Sequence, residues 1–183
     1  MTTIETGFKY LEFDKNTEFE EDNTSKNYLL FFLKGGFTTT CNQSHNRPFH
    51  AGEMVLIPRS SRLKGTGETG SSLLSMFFDM PENSCDKLIL QSLSGICDHI
   101  EYDFAPTGIH YPLTPFLEVL THCIRNGMNC AHLHTLMQRE FFFLLRGFYE
   151  KREIAALLHP IIGKEMDFKD FVMRNHTRVD NIE

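Results

Sequence analysis

The stretch between Asn27 and Met80 constrains the fold of this chain more than any other, because it holds most of the strand-like sequence. Short runs rich in Leu, Phe, Val, Ile and Thr alternate there with Gly, Pro and Asn clusters: NYLLFFL, GGFTTTC, GEMVLIP and SSLLSMFF. Strands of this length with frequent turn signals are typical of a compact antiparallel sandwich or barrel. We therefore predict that this stretch forms the body of a small β-barrel.

The strand predicted at 28–33 carries apolar residues on both parities, which indicates that both of its faces are covered. One face would line the barrel interior, and the other would pack against a helical layer. Gly35 and Gly36 predict a tight hairpin into the next strand. The glycine-rich segment 65–70 predicts a loop before the strand 72–80.

The alternation of side chains along the strands predicts which residues line the barrel interior. In the last strand Asp79 shares its parity with Leu73, so we place the opposite parity inward. The predicted lining consists of Leu30, Phe32, Met54, Leu56, Leu74, Met76 and Phe78. Such a lining suits an apolar or aromatic ligand better than a sugar, whose hydroxyls need several fixed polar partners. The alternative is that these side chains fill the barrel and leave no room for a ligand.

The segment before the barrel divides into two parts. Alternating apolar residues between Phe8 and Phe13 predict an arm or an edge strand laid on the barrel, and a frayed terminus is the alternative. The acidic run from Glu18 to Lys26 predicts a solvated loop. An arm at this position would act as a lid over the barrel mouth.

Charge and cysteine content limit the classes of function. The formal charge of -6 over 183 residues provides no basic face for phosphates, so we do not expect this chain to bind nucleic acid by itself. The five cysteines lack C-x-x-C or zinc-ribbon spacing and predict reduced thiols in a cytoplasmic protein. No apolar run approaches the length of a membrane span, so we expect no membrane partner.

Two groups of polar residues raise the question of a metal site. His99, Glu101 and Asp103 share one face of a predicted strand, where a solvated polar face is the ordinary outcome and a metal site is the alternative. His132 and His134 lie two apart in a predicted helix and point to different sides, so we expect both at the surface. No catalytic motif is recognisable, and we predict no metal, no cofactor and no enzymatic activity.

The apolar periodicity becomes helical after the barrel. Thr114 and Pro115 predict the start of a first helix, and Gly127 predicts its end. A second helix is predicted over 131–149. Its apolar stripe consists of Leu133, Leu136, Met137, Phe141, Leu144, Leu145 and Phe148. The pair predicts an αα-hairpin packed on the barrel.

Apolar residues outside that stripe indicate a second contact surface on the same helix. Phe142 and Phe143 fall off the stripe, and a contiguous apolar patch on a helix marks an association site. We therefore predict a homodimer through the second helix. The predicted contact residues are Leu133, Phe141, Phe142 and Phe143.

Three blocks of the sequence resemble AraC-type transcription regulators. GEMVLIPRSSRLKGTGETGSSLLSMFF, with five residues between Gly52 and Pro58, resembles their cupin-type sensor barrel. NGMNCAHLHTLMQREFFFLLRGFY followed by EKREIAALLHPIIG resembles their helical linker, and MDFKDFVMRNHTRVDNIE resembles the opening of their helix-turn-helix domain. The resemblance implies a barrel with an N-terminal arm over 1–112, a dimerisation hairpin over 113–163 and the start of a truncated DNA-binding domain over 164–183.

The fold class predicted in this way is α+β: a cupin-like β-barrel of the double-stranded β-helix or jelly-roll type, followed by a C-terminal α-helical hairpin. The resemblance implies a ligand-sensing and dimerisation module, in which an unknown small-molecule effector in the barrel alters the placement of DNA-binding domains. DNA would be contacted only through the missing C-terminal domain. The alternative is a small cupin enzyme, a metal-dependent isomerase or oxygenase.

The histidine pattern departs from that of metal-binding cupins. Those proteins carry an H-x-H pair in their first motif, whereas this chain has Cys41, His45 and His50 near that position without such a pair. Arg62 or Leu63 stands where the last histidine of the cupin motifs would be expected. This departure argues against the enzyme alternative.

Overall fold

The computed structural model of the chain describes residues 7–14, 17–23, 25–42, 44–79 and 92–162. Nine strands lie in this part of the chain: β1 (Gly7–Phe13), β2 (Thr17–Asn23), β3 (Asn27–Lys34), β4 (Gly36–Cys41), β5 (Ser44–His50), β6 (Glu53–Ile57), β7 (Ser61–Gly67), β8 (Ser71–Phe78) and β9 (Thr107–Gly108). The helices are α1 (92–97), α2 (Leu113–Arg125), α3 (Ala131–Phe148) and α4 (151–162).

The strands form two antiparallel sheets whose order defines the fold. One sheet has the order β1-β8-β3-β6-β9 and the other the order β2-β7-β4-β5. Among the first eight strands, only the β4–β5 connection stays within one sheet, and the others cross from one sheet to the other. This is the strand order of a double-sheet jelly roll, the architecture of cupins. The predicted α+β fold, a cupin-like barrel followed by C-terminal helices, is confirmed.

The glycine pair after β3 makes the predicted turn but not the predicted hairpin. Gly35 has a φ of +76°, and a Cβ atom placed on it would lie 2.7 Å from Cβ of Ser71. However, β3 pairs with β6 and β8, whereas β4 pairs with β5 and β7. The chain passes between the sheets at Gly35. The hairpin prediction is wrong because a glycine turn signal does not specify which strands pair.

Two segments predicted as loops are strands that pair with each other. The acidic run forms β2, which lies antiparallel to β7, and Glu20 stands directly opposite Lys64. The carboxylate of Glu20 lies 3.2 Å from Nζ of Lys64. Opposite charges are thus paired across the two strands. Gly65 lies within β7 because the Phe19 ring covers it, only 2.4 Å from where a Cβ atom would stand. Aromatic rings thus replace the missing side chains of this glycine-rich strand.

The space between the two sheets is filled by stacked aromatic rings, which we call the inter-sheet core. The ring of Phe32 stacks on Phe49 with centroids 4.8 Å apart and lies 4.9 Å from Phe37. Phe49 meets Phe104 edge-on at 5.6 Å. The other buried members are Phe13, Leu30, Cys41, Val55, Ile57, Leu63 and Leu73. Both sheets contribute to this core.

A second core joins the outer face of the five-stranded sheet to the helices. Phe31 of β3 meets Phe141 of α3 with centroids 5.4 Å apart, and Phe78 of β8 meets Phe142 at 5.5 Å. The helices α1, α2 and α4 contribute to the same cluster. The predicted helical layer over the apolar strand is confirmed. The domain boundaries at 112 and 163 stay predictions, and the tail 164–183 lies outside the described residues.

The ends of the two long helices follow the predicted signals closely. α2 begins at Leu113 with Pro112 as its N-cap, so Thr114, predicted as the cap, lies within the first turn instead. At its end Gly127 has a φ of +84° and donates to the carbonyl of Ile124 at 3.1 Å, while Met128 donates to that of Cys123 at 3.0 Å. This pair of bonds is a Schellman motif, which favours glycine. α3 matches the predicted helix within one residue.

Candidate functional site

The structure separates the seven residues predicted to line the barrel interior. Leu30 and Phe32 lie in the inter-sheet core, as predicted. The other five lie on the opposite face of the sheet, in the core shared with the helices: Met54, Leu56, Leu74, Met76 and Phe78. Their placement in the interior is wrong. Whether Leu30 and Phe32 contact a ligand stays a prediction.

The strand register gives the physical reason for this error. Residues directly opposite each other in a sheet share a face, and Leu30 stands opposite Val55 of β6 and Ser75 of β8. The interior residues of β6 and β8 are therefore the odd-numbered ones. Asp79 follows the last residue of β8, so its charge says nothing about which face is buried. With both faces covered by apolar layers, hydrophobicity alone does not determine the parity.

A cavity lies outside the barrel, between the outer face of the five-stranded sheet and α2. Its volume is about 680 Å³, and we call it the α2 cleft. It shares only Phe32 with the inter-sheet core. The strands contribute Tyr10, Glu12, Leu33, Lys34 and Ser72, and α2 contributes Thr114, Leu117, Glu118, Thr121, His122 and Arg125. A second cavity, of about 320 Å³, lies on the outer face of the four-stranded sheet.

The floor of the α2 cleft is built by strand register and one bulge. Glu12 of β1 and Lys34 of β3 both stand opposite Ser72 of β8, so these side chains form a row across three strands. The pairing of β3 shifts between Phe32 and Lys34. The extra residue, Leu33, brings Lys34 onto the same face as Ser72. A charged row therefore lies on a sheet face that is otherwise apolar.

The wall of the cleft is one face of α2. Thr114, Glu118, Thr121 and Arg125 recur at helical spacing and line the cleft together. The guanidinium of Arg125 lies 5.3 Å from the centroid of the Tyr10 ring. This cation–π contact contributes about 0.5–1 kcal/mol at an exposed site. It fixes the end of α2 above β1.

Several polar groups of the α2 cleft are unused. Glu12, Lys34 and Glu118 are exposed and take part in none of the ion pairs found among the described residues. Thr121 Oγ1 is buried and has no hydrogen-bond partner within the described part of the chain. Leaving a buried hydroxyl unpaired costs about 1–3 kcal/mol. The cleft thus combines unpaired charges of both signs with an unsatisfied hydroxyl.

The residues predicted for the dimer contact occupy different environments on α3. Phe141 and Phe142 are buried against the sheet within the protomer, so they are not available to a partner, and their prediction as contacts is corrected. Leu133 is half-buried, and Phe143 is 62% exposed. The run of three Phe and two Leu makes α3 apolar on nearly every side, so the periodicity did not select one face. Leu136, predicted for the packed stripe, is 53% exposed.

His134 is a structural residue that the sequence pattern missed. It was expected at the surface but is 3% exposed, whereas His132 is exposed as predicted. Its Nδ1 accepts the backbone N–H of Phe8 at 3.0 Å, and its Nε2 contacts Oδ1 of Asn129. β1 is an edge strand, and its outward backbone N–H groups need hydrogen-bond acceptors where a helix covers them. A polar side chain in the covering helix, such as His134, is therefore a candidate acceptor.

The segment proposed as an alternative metal site has a different structure. Residues 101–106 form no strand, and Asp103 accepts a hydrogen bond from the guanidinium of Arg47. No group of three or more His, Cys, Asp or Glu residues that could hold a metal ion occurs in the described part of the chain. Four of the cysteines form no disulfide bond among the described residues: Cys41, Cys97, Cys123 and Cys130. None of the helices in the described ranges has the length and hydropathy to cross a membrane.

No protein-family model and no curated protein matches the chain. Parts of it superpose on cupin domains of known structure. The Cnp3 cupin domain of Schizosaccharomyces pombe is 13% identical over 41% of this chain and 53% of that domain, with a TM-score of 0.38. A Cupin 2 conserved barrel domain protein of Salinispora arenicola is 17% identical over 41% and 64% of the two chains, with a TM-score of 0.38. KdgF of a Halomonas species is 13% identical over 45% and 76%, with a TM-score of 0.39.

These superpositions span about half to two thirds of the first two relatives and are too distant to carry an argument about function. The fold class rests on the order of the strands in the two sheets. The chain is an α+β protein with a cupin-like jelly-roll barrel and C-terminal helices.

Proposed function

We propose that this chain is the ligand-sensing and dimerisation module of an AraC-type transcription regulator that acts in the cytoplasm and has no enzymatic activity. The observation that carries the proposal is the position of α3. One side of this helix packs on the barrel through Phe141 and Phe142. Another side presents Phe143 and Leu136 to solvent. A helix that packs on the barrel with one side and on a partner subunit with the other would couple changes in the barrel to the arrangement of the dimer.

The exposed side of α3 has the composition of a contact surface. Phe143 and Leu136 are seven residues apart, so they lie on the same face two turns from each other. Arg146 places its guanidinium 5.2 Å from the centroid of the Phe143 ring. Arginine and aromatic residues are enriched in protein interfaces. We assign the contact to this face, with Leu133 at its border.

The mechanism in this proposal is thermodynamic linkage. An effector that binds one arrangement of the dimer more tightly than another shifts the population towards that arrangement. Because the sheet, α2, α3 and α4 share one core, a change in the packing of the sheet also changes the position of α3. DNA would be read by a segment outside this chain, whose placement depends on the dimer.

Sedimentation velocity of the purified chain tests the assembly step. We expect a dimer at tens of micromolar and a monomer for Phe143→Ser, because the exposed ring would lie in the contact. Val119→Ser is the matched control, since Val119 is 58% exposed on α2. A monomeric wild-type protein would contradict the proposal. Dissociation by the Val119 variant alone would move the contact from α3 to α2.

A further inference from the structure

We propose that the α2 cleft binds a small zwitterionic molecule with an apolar portion, in the chemical class of short peptides and free amino acids. The cleft is separate from the inter-sheet core, where the predicted effector would bind. The regulatory consequence rests on the proposed function, because a ligand between the sheet and α2 would bias the helical hairpin. Binding itself does not depend on that function.

The two ends of the cleft carry the same combination of charges. Glu12 lies on β1, close to Tyr10 and therefore to Arg125, whose guanidinium is above that ring. Lys34 lies two strands away in the same row, roughly 10 Å across the sheet at the usual strand spacing. Glu118 precedes Arg125 by two helical turns, again about 10 Å. Each end thus offers one carboxylate and one cation.

The direction of α2 supports this arrangement. The helix follows Ile109, whose N–H donates to the carbonyl of Gly52 at 2.7 Å, beside the start of β6. It ends with Arg125 above β1. The helix therefore crosses the sheet from β6 towards β1 and passes over the row formed by Lys34, Ser72 and Glu12. Glu118 lies on the part of α2 before that end.

The equal number of positive and negative side chains in the cleft favours a ligand that carries both charges. Apart from His122, the charged residues lining the cleft are Glu12, Lys34, Glu118 and Arg125, which sum to zero. An anion would meet the two carboxylates, and a cation would meet the two basic groups. A neutral sugar would displace water from four charges without supplying a counter-charge. A zwitterion supplies one partner of each sign, and charge-assisted hydrogen bonds are the strong ones.

The remaining surface of the cleft suits an apolar side chain. Leu33, Ile109 and Leu117 line it together with the Tyr10 ring. The volume of about 680 Å³ lies within the usual range of small-molecule sites, about 300–1,000 Å³. Thr121, whose buried Oγ1 has no hydrogen-bond partner within the described residues, lies behind this surface at the wall. These features favour a peptide with apolar side chains over a polar one.

Isothermal titration calorimetry with leucyl-leucine tests the inference directly. Free leucine, N-acetyl-leucyl-leucine and leucyl-leucinamide are the comparison probes, because they shorten the ligand or remove one of its charges. We expect binding of the dipeptide and a loss of roughly tenfold or more for each capped analogue, as for a lost charge-assisted hydrogen bond. Comparison with free leucine distinguishes a peptide site from an amino-acid site.

Two variants locate the binding, and one controls for charge. Lys34→Gln and Glu12→Gln should each weaken the dipeptide roughly tenfold. Both residues are exposed, so the fold should survive, which circular dichroism and the melting temperature check. Lys151→Gln removes an exposed positive charge on α4 and should leave binding unchanged.

The inference is overturned if no heat is observed at millimolar dipeptide, if the capped analogues bind as tightly as the dipeptide, or if the cleft variants bind like the wild type. If the protein is a dimer but binds none of the four probes, this inference is refuted and the proposed function stands. If the protein is a monomer that binds the dipeptide, the inference stands and the proposed function is refuted. Sedimentation of the same samples separates the two outcomes.

Discussion

The backbone N–H of Phe8 donates a hydrogen bond of 3.0 Å to Nδ1 of His134, across 126 positions of the sequence. The two rings also stack, with centroids 6.0 Å apart. The contact fastens the edge strand β1 to the first turns of α3. Nδ1 accepts the N–H of Phe8, and Nε2 lies against Oδ1 of the Asn129 side-chain amide, so neutral histidine with its proton on Nε2 satisfies both interactions.

The His134 contact predicts a pH dependence of stability. Burial lowers the pKa of His134 below its ordinary value of 6.5, so the unfolded state binds the proton more readily than the folded state. The contribution of His134 is therefore complete above about pH 6.5. It is lost as the pH falls from that value through the lowered pKa of the folded state. We expect the urea midpoint to drop between pH 7.5 and 5.5, and to drop less for His134→Asn.

The control for this prediction is His132→Asn, two residues away and exposed. It should retain the pH dependence of the wild type. If the wild type and His134→Asn lose stability in parallel as the pH falls, other groups cause the effect and His134 does not. Chemical denaturation followed by circular dichroism at each pH supplies the midpoints.

The apolar strands of this fold were predictable, whereas the polar strand β2, the glycine-rich end of β7 and the pairing of the strands were not. The apolar run in β3 and the bracket of Gly52 and Pro58 around β6 are local signals, and both elements lie where these signals place them. The pairing of β3 with β6 and β8 depends on the crossing of the chain at Gly35. A local pattern cannot distinguish a crossing between sheets from a hairpin. The assignment of faces failed for another reason: both faces of β3, β6 and β8 are covered by apolar residues, so their parity carries no signal.

The α2 cleft could not be predicted from the sequence, for a different reason. Its floor depends on the register of Glu12, Ser72 and Lys34, which come from three separate parts of the chain. The bulge at Leu33 turns Lys34 to the helix-covered face. Arg125 reaches the same place only because α2 crosses the sheet. The charged residues can be read from the sequence, but only the tertiary fold shows that they line the same cleft.

The aromatic packing between the sheets predicts a strong dependence of stability on Phe32. This side chain is fully buried and contacts both Phe37 and Phe49. Phe32→Ala should destabilise the protein by about 3–5 kcal/mol, because it removes apolar contacts and leaves a cavity. Phe143→Ala, at an exposed ring, should change the stability of the protomer by less than about 0.5 kcal/mol.

Urea denaturation at a concentration where the protein is monomeric measures both values. Domains of ordinary stability have about 5–15 kcal/mol in total, so the Phe32 variant should lie close to unfolding. A loss below about 1 kcal/mol for Phe32→Ala would show that the inter-sheet core is loosely packed. In that case the barrel interior would again be a candidate for ligand binding.

We further predict that this chain does not bind DNA with sequence specificity. Affinity for duplex DNA begins with basic residues that neutralise phosphates, and the formal charge here is -6. Several basic side chains of the barrel already face carboxylates. These ion pairs join Lys26 to Asp79, Arg47 to Asp103, and Arg62 and Lys64 to Glu20. Placing them on DNA would require breaking those contacts.

In the sequence near the end of the chain, four basic residues are interspersed with four acidic ones: Lys164, Lys169, Arg174 and Arg178 with Glu165, Asp167, Asp170 and Asp180. Fluorescence anisotropy at physiological salt, with labelled duplexes from the region upstream of the gene and a scrambled control duplex, measures the affinity. We expect both duplexes to bind with the same dissociation constant, no lower than about 1 µM, since non-specific association lies at about 1–100 µM. Submicromolar binding that distinguishes the two duplexes would place a DNA-reading surface within this chain and contradict its assignment to a segment outside it.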